Sequence, residues 1–268
     1  GAFPMGILNR LVKLLEVLDP ENIFWKTLRI NGAQTKDNAE EMLKEIKQIF
    51  DMDKYTANYS RKLFLIENSI YGLDIQPMAI QITKLRFFIS LVIEQNIDES
   101  KPNNGILTLP NLETKFLSVN SLVGLNISET HWSSLKITNY EKLTKDLNEV
   151  SHNLFFVRST KEKQKYRKKY GELREKIRNL LLEYNWDEVN VEKIFSWNPY
   201  LQNAVSDFFD MDFMFDLRDD NKKKTKFDIV IGNPPYVRHE KIKDLKPLIK
   251  DQYKTFTGTA DIYLYFYE

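Results

Sequence analysis

Five residues suited to a β-strand run directly into two that cannot continue one. Phe227-Asp228-Ile229-Val230-Ile231 is rich in β-branched and aromatic side chains and passes through Gly232 into Asn233-Pro234-Pro235-Tyr236. Such a run reads as a short buried strand. Pro234 and Pro235 lack a backbone donor and fix φ, so strand pairing has to stop there. One reading is a stiff turn leaving a sheet. The sharper one is a rigid clamp at the carboxyl end of a strand, where open α/β sheets bind their ligands.

The rest of the chain repeats the strand-then-helix order. Apolar residues at 7, 8, 11, 12, 14, 15 and 18 predict a helix over Ile7 to Leu18, broken by Asp19-Pro20. A second helix is expected from Asn38 to Phe50, and a third segment from Tyr59 to Asn68. An apolar strand follows at Ser69–Ile75, and Pro77 sits where first-turn prolines open a helix running to about Glu94. That helix is apolar on more than one face, which predicts thorough burial. Phe116 to Val123 reads as another strand and its exit. From Trp132 to Tyr184 the pattern is long, charged and helical, a two-helix arm, whereas Asp187 to Asp220 promises little beyond short turns. After the strand into Asn233, a linker leads to a helix starting near Thr259 or Asp261. Strand, helix, strand, insertion, strand, helix is the order of an α/β fold with a mostly parallel sheet.

Composition narrows the chemistry. The 268 residues carry a net charge of +1, so any basic surface must be local. With no cysteine, disulfides and thiolate metal sites are excluded, in keeping with a cytoplasmic location. His131, His152 and His239 lie far apart without metal-ligand spacing, so no metal is expected. No apolar run reaches the roughly 18 residues of a membrane span, and no signal peptide is visible.

Three stretches carry the candidate chemistry. The Asn233 amide oxygen and the Pro234 carbonyl can both accept from one planar amino group, if the turn aims them together. Pro235 keeps that turn stiff, and Tyr236 offers a ring for stacking worth about 1–3 kcal/mol on a flat base. Accepting both N–H bonds favours a more tetrahedral nitrogen and the positive charge that develops as it attacks. Asp74, ending the strand Ile70-Tyr71-Gly72-Leu73-Asp74, holds the acidic position that binds ribose hydroxyls in nucleoside-binding α/β folds. At the exit Ser118-Val119-Asn120-Ser121-Leu122, Asn120 can face an adenine edge.

Taken together these stretches resemble a known family. Phe227–Tyr236 looks like motif IV of S-adenosylmethionine-dependent amino-methyltransferases, in the Asn-Pro-Pro-Tyr form usual for adenine-N6 DNA methylases. Tyr71-Gly72-Leu73-Asp74-Ile75-Gln76-Pro77-Met78-Ala79 resembles motif II of the gamma-class methylases of type IIG restriction–modification and related phage-defence enzymes. Leu109-Pro110-Asn111-Leu112 with Asn120-Ser121-Leu122 resembles motif III, and Thr257–Tyr263 the segment after motif IV. The resemblance implies a class I, Rossmann-like methyltransferase fold, incomplete here and carrying a helical insertion. It further implies that Asn233 and Pro234 hold the adenine amino group while Tyr236 stacks on the base. Asp74 with Ile75 would bind the ribose of S-adenosylmethionine, Asn120 with Ser121 its adenine, and Asn233 would also border the cofactor. Double-stranded DNA with a flipped adenine is the implied substrate.

The chain also departs from the family pattern. Only the tail of the Gly-rich first motif is recognisable, as Gly1-Ala2-Phe3-Pro4-Met5-Gly6, which leaves Gly1 and Phe3 as its cofactor-contacting remnant. The chain thus reads as part of a longer protein, with the target-recognition domain and any fused nuclease outside it, and as inactive by itself. Three regions are expected: 1–127 with the first three motifs, a largely helical insertion over 128–220, and 221–268 with the clamp. Arg158 to Arg178 holds ten Lys/Arg against three Glu; a solvated helix face is the commoner reading, a DNA-backbone arm the alternative. Lys222-Lys223-Lys224 with Lys226 reads as a solvated loop. Other enzymes with this clamp act on protein glutamine or RNA, and a non-catalytic DNA-binding subunit of a defence complex is an alternative from another class.

Overall fold

The computed structural model describes the whole chain except residues 35–39, 41–42, 45, 48–49, 51–54, 107–109, 126–137, 158, 202 and 216–226. Most of the helix expected over Asn38–Phe50, Leu109 and the lysines at 222–226 therefore lie outside the described residues. Contacts divide the chain into two compact units. The first comprises Gly1–Gly72, Met78–Phe116 and Phe155–Ser159; the second comprises Leu73–Pro77, Leu117–Leu154 and Thr160–Glu268.

In the first unit, helix α1 (Ala2–Leu18) packs on α3 (Ala57–Asn68). Leu8 and Val12, one turn apart, bury against Tyr59, Leu63 and Ile66, and Ile80, Phe87 and Leu91 complete the same core. At Asp19 the α1 pattern stops, and the buried Arg61 guanidinium donates to the Asp19 and Pro20 carbonyls at 2.6 and 2.7 Å. Orphan carbonyls at the helix end thus gain a cationic donor. The Asp19 carboxylate accepts the Trp25 N–H at 2.8 Å and so starts α2 (Ile23–Gln34). Lys62 is buried yet satisfied, 2.6 Å from Glu94 and 3.0 Å from the Ser90 carbonyl. Helix α4 (Pro77–Val92) opens on its proline as predicted. Its burial is one-sided, however: Ile80, Phe87 and Leu91 point into the core, while Met78, Ile82, Leu85 and Ile89 are exposed. Apolar composition on several faces therefore overstated how much of this helix is covered.

The sheet, whose residues other than Gly72 and Phe116 belong to the second unit, has the order β1-β2-β3, with β1 at Gly72–Asp74, β2 at Phe116–Val119 and β3 at Val205–Ser206. β2 is buried along its length and pairs parallel with β3, Ser118 facing Val205. Gly72 N donates to Lys115 O at 2.9 Å, and Ser118 Oγ donates to Ile75 O at 3.3 Å. Early residues of β1 thus meet early residues of β2 and late meet late, so these two strands also run the same way. The resulting arrangement is the expected α/β fold.

The two-helix arm appears as α5 (Thr138–Phe156) and α6 (Thr160–Glu183). Val150 and Leu154 pack with Tyr170 and Leu173, and Tyr140 with Ile177, Leu181 and Trp186. Beyond it, the segment read as little more than turns contains a nine-residue helix, α7 (Glu188–Ser196), capped by Asp187 accepting from Asn190 N at 2.9 Å. The buried Arg174 of α6 closes its other end, donating to the carbonyls of Ile194 at 3.1 Å and Trp197 at 2.5 Å. Trp197, Phe208 and Phe215 are buried, and Phe215 meets Phe227 edge-on at 6.1 Å. Left-handed backbone outside glycine falls, among the described residues, only on asparagines, for example Asn103 and Asn104 in the Pro102–Gly105 turn.

Candidate active site

Asp74 and Asn120 end neighbouring parallel strands, so the sheet brings these two predicted cofactor residues to one edge. Each folds back in the same manner. Asp74 Oδ1 accepts Gln76 N at 2.8 Å, and Asn120 Oδ1 accepts Leu122 N at 3.2 Å. Such Asx turns swing the chain away from the strand direct into a helix or loop. The second carboxylate oxygen of Asp74 and the Asn120 amide nitrogen make no hydrogen bond among the described residues, leaving one acceptor and one two-proton donor at neighbouring strand ends. Ile75 is exposed directly after Asp74, and Ser121 is half-buried in the turn after Asn120. An acidic acceptor beside an amide donor fits a nucleoside, with hydroxyls at one end and a base edge at the other.

The loop after β2 is held from the far end of the chain. Gln252 Oε1 accepts Gly124 N at 2.9 Å, and Tyr253 OH donates to Leu122 O at 2.9 Å. Burial raises the Tyr253 phenol above its ordinary value, with Glu268 adding to the effect, so the hydroxyl stays protonated and able to donate. Tyr265 is fully buried and packs on Tyr253 at 5.3 Å. Glu268 accepts from Lys254 N and Thr255 N, both at 2.9 Å. Short side chain-to-backbone bonds of this kind carry no sequence period, so Gln252 and Tyr253 had no signal by which to be found.

Asn233-Pro234-Pro235-Tyr236 stands in solvent. Asn233 is exposed and its side chain has no hydrogen-bond partner among the described residues, and the Tyr236 ring is 84% exposed. The expected strand leading into it belongs to no sheet among the described residues, with Ile229 77% and Val230 83% exposed. This corrects the buried-strand reading. Side-chain pattern specifies an extended segment, but burial requires flanking strands, and among the described residues none pairs with it.

Anchorage of the clamp comes from the residues after it. Val237 N bonds Pro235 O at 3.1 Å, and Ile262 N bonds Val237 O at 3.1 Å. Asp261 Oδ1 accepts the His239 N–H at 2.9 Å and lies 3.8 Å from His239 Nδ1. The Tyr236 ring rests 5.8 Å from that of Tyr263, inclined at 44°, and Tyr263 in turn meets Tyr267 at 6.4 Å. Ile262–Phe266 is a 3₁₀ segment where a longer helix was expected. Asp261 and Tyr263 thus brace the clamp, a role hidden in sequence because 22 residues separate Asp261 from His239. No hydrogen bond, ion pair or ring contact joins Asn233–Tyr236 to Asp74 or Asn120 among the described residues.

Gly1 and Phe3, the other predicted cofactor residues, belong to the first unit. Ala2 and the residues after it form the first turns of α1, not an open turn. Phe3 is half exposed, and a Cβ on Gly1 would come within 2.9 Å of Thr83 Oγ1, so the chain enters α1 against α4 where only glycine fits without adjustment.

A family model described as Eco57I restriction-modification methylase matches residues 68–268, a span holding β1, β2, the arm and the clamp. The chain belongs to this family. A methylase-type relative from Methanocaldococcus jannaschii, named as a type II restriction enzyme and methyltransferase, is 38% identical over 87 residues. That alignment covers 31% of the methylase-family chain and 7% of the relative, so the chain spans a small part of that protein's length. No solved structure matches. Among the described residues, no helix is long and apolar enough to cross a membrane.

Proposed function

We propose that this chain carries base- and cofactor-binding residues of a DNA adenine-N6 methyltransferase with a class I, Rossmann-like core. The observation that carries the reading is the solvent-facing clamp. Asn233 and the Tyr236 ring, a polar amide and a large aromatic, have no polar partners among the described residues and stand on a backbone stiffened by two prolines and braced at Val237 and His239. Exposed rings and unpaired amides held this firmly suit a ligand with a flat face and an amino group. Family membership and the parallel strand ends support the same view.

In this reading the adenine leaves the duplex and its face stacks on Tyr236, with Tyr263 behind. The Asn233 amide oxygen and the Pro234 carbonyl accept the two amino hydrogens. Those bonds strengthen as the nitrogen turns tetrahedral and gains positive charge, so they favour the transition state over the ground state. Asp74 would hold the ribose and Asn120 the adenine of S-adenosylmethionine, with Ile75 and Ser121 lining that site. That cofactor supplies an electrophilic methyl group. The regions 1–127, 128–220 and 221–268 then serve cofactor binding, the helical insertion and base capture.

Two measurements test this. Duplex DNA with 2-aminopurine at an adenine position should gain fluorescence on binding the chain, and Tyr236→Ala should remove most of that gain. Methyl transfer to adenine by a protein containing residues 1–268 should fall at least about a hundredfold in Asn233→Ala, a loss of about 3 kcal/mol of transition-state stabilisation. Adenine methylation that survives Asn233→Ala would overturn the assignment.

A further inference from the structure

Helix α6 divides by charge along its length. From Lys161 to Lys169 it carries six cations and the single acid Glu162; from Glu172 onward the signs are mixed, and Arg178 is paired with Glu192. Lys161, Lys165, Lys168 and Lys169 are all exposed, and at spacings of three and four residues they share one face. Lys168 comes within 3.9 Å of Glu172, both strongly exposed. Behind this face the helix is fixed by Tyr170, Leu173 and Arg174, all buried, and by the Arg167 guanidinium 5.7 Å over the Tyr200 ring. A flexible tail would not hold its charges in register; this helix does.

The placement of these cations works against the helix itself. Lys161 lies in the first turn, at the positive end of the macrodipole, where cations are unfavourable. Lys161 with Lys165, and Lys165 with Lys169, are like charges at i,i+4 and repel. A face shaped only for solvation would mix signs, as the far half of α6 does. Mutually repelling cations gathered on one rigid face, with only Lys168 facing an acid at Glu172, suit a polyanion.

We propose that this stripe is a contact surface for the phosphate backbone of double-stranded DNA. The proposal rests on the DNA-methyltransferase reading for its choice of polyanion. From Lys161 to Lys169 the helix rises about 12 Å, the span of roughly three to four phosphates along one strand. The stripe adds affinity without reading sequence, since phosphate contacts position a protein rather than specify bases.

The test is fluorescence anisotropy of the 268-residue chain with a labelled 20-base-pair duplex between 50 and 200 mM NaCl. K165E/K168E is compared with R10E/K13E, which reverses two exposed cations on α1 and changes net charge equally. K165E/K168E should weaken binding at least about tenfold at 100 mM salt and flatten the log K against log salt slope by about 1.8, two phosphate contacts at about 0.9 each. R10E/K13E should cost less than about threefold with the slope kept, and K165R/K168R should bind as the parent does. Equal losses in both reversed variants, or no duplex binding by the chain, would overturn the proposal. Absence of a 2-aminopurine gain in the parent chain, with duplex binding and its salt slope as expected, would count against the clamp reading alone.

Discussion

At the scale of single residues, Asp261 shows how a clamp stays rigid while facing water. One carboxylate oxygen accepts the His239 amide at 2.9 Å, an acceptor role that an asparagine also fills. Asp261→Ala should therefore speed amide hydrogen exchange at His239 at least about tenfold, as expected for a lost capping-type bond worth about 1 kcal/mol or more. Asp261→Asn should keep most of the protection, which separates the bond from the charge. Tyr263→Leu should leave folding intact yet weaken the 2-aminopurine signal, since Tyr236 loses its aromatic backing. Asn233, Tyr236, Asp74 and Asn120 were legible because each sits next to a signal that a sequence displays: a proline pair, a strand end, a turn. Asp261 and Tyr253 were not, because their partners at His239 and Leu122 lie 22 and 131 residues away.

Arg174 belongs to the scale of elements, because it joins α6 to α7. Its buried guanidinium caps carbonyls at the end of α7 and lies 4.9 Å from the Phe195 ring centre. Arg174→Met should cost about 2–4 kcal/mol in urea unfolding, because the carbonyls of Ile194, Phe195 and Trp197 all accept from its Nη2 and would lose that donor. Helix periodicity predicted α5 and α6 well, but α7 was missed because its nine residues lie in an aromatic-rich stretch without a clear apolar period. α4 shows the converse, as its apolar faces predicted a burial that only one side has. Ile82→Lys with Ile89→Lys should accordingly leave the midpoint of unfolding within about 0.5 kcal/mol per site.

Acid sensitivity is a property of the whole molecule. Hydrogen bonds from Lys101 and Ser100 hold the Asp98 carboxyl down to about 2, and backbone bonds at residues 254 and 255 likewise lower Glu268. Groups whose folded value is depressed stabilise the fold above their ordinary value near 4 and lose that contribution as pH falls through the folded value. Thermal unfolding followed by circular dichroism should thus show stability flat from neutral pH down to about 4 and falling from there toward about 2. Asp98→Asn should flatten part of that fall. The α/β order of the chain was readable from its alternation of strands and helices, whereas the exposure of Ile229–Ile231 was not, because burial depends on what lies alongside.

That exposed run has a consequence for handling. Asp228 to Ile231 has high β-propensity, one charge and no sheet pairing among the described residues, the makings of a self-pairing segment that joins one copy to another at high concentration. Pro234 and Pro235 bound it, since a partner strand laid along it runs out of donors within three residues of Ile231. The residues proposed to hold a base thus also serve as gatekeepers against aggregation. Replacing both prolines should lower the concentration at which the chain stays monodisperse in light scattering, before any change in its fold is detectable.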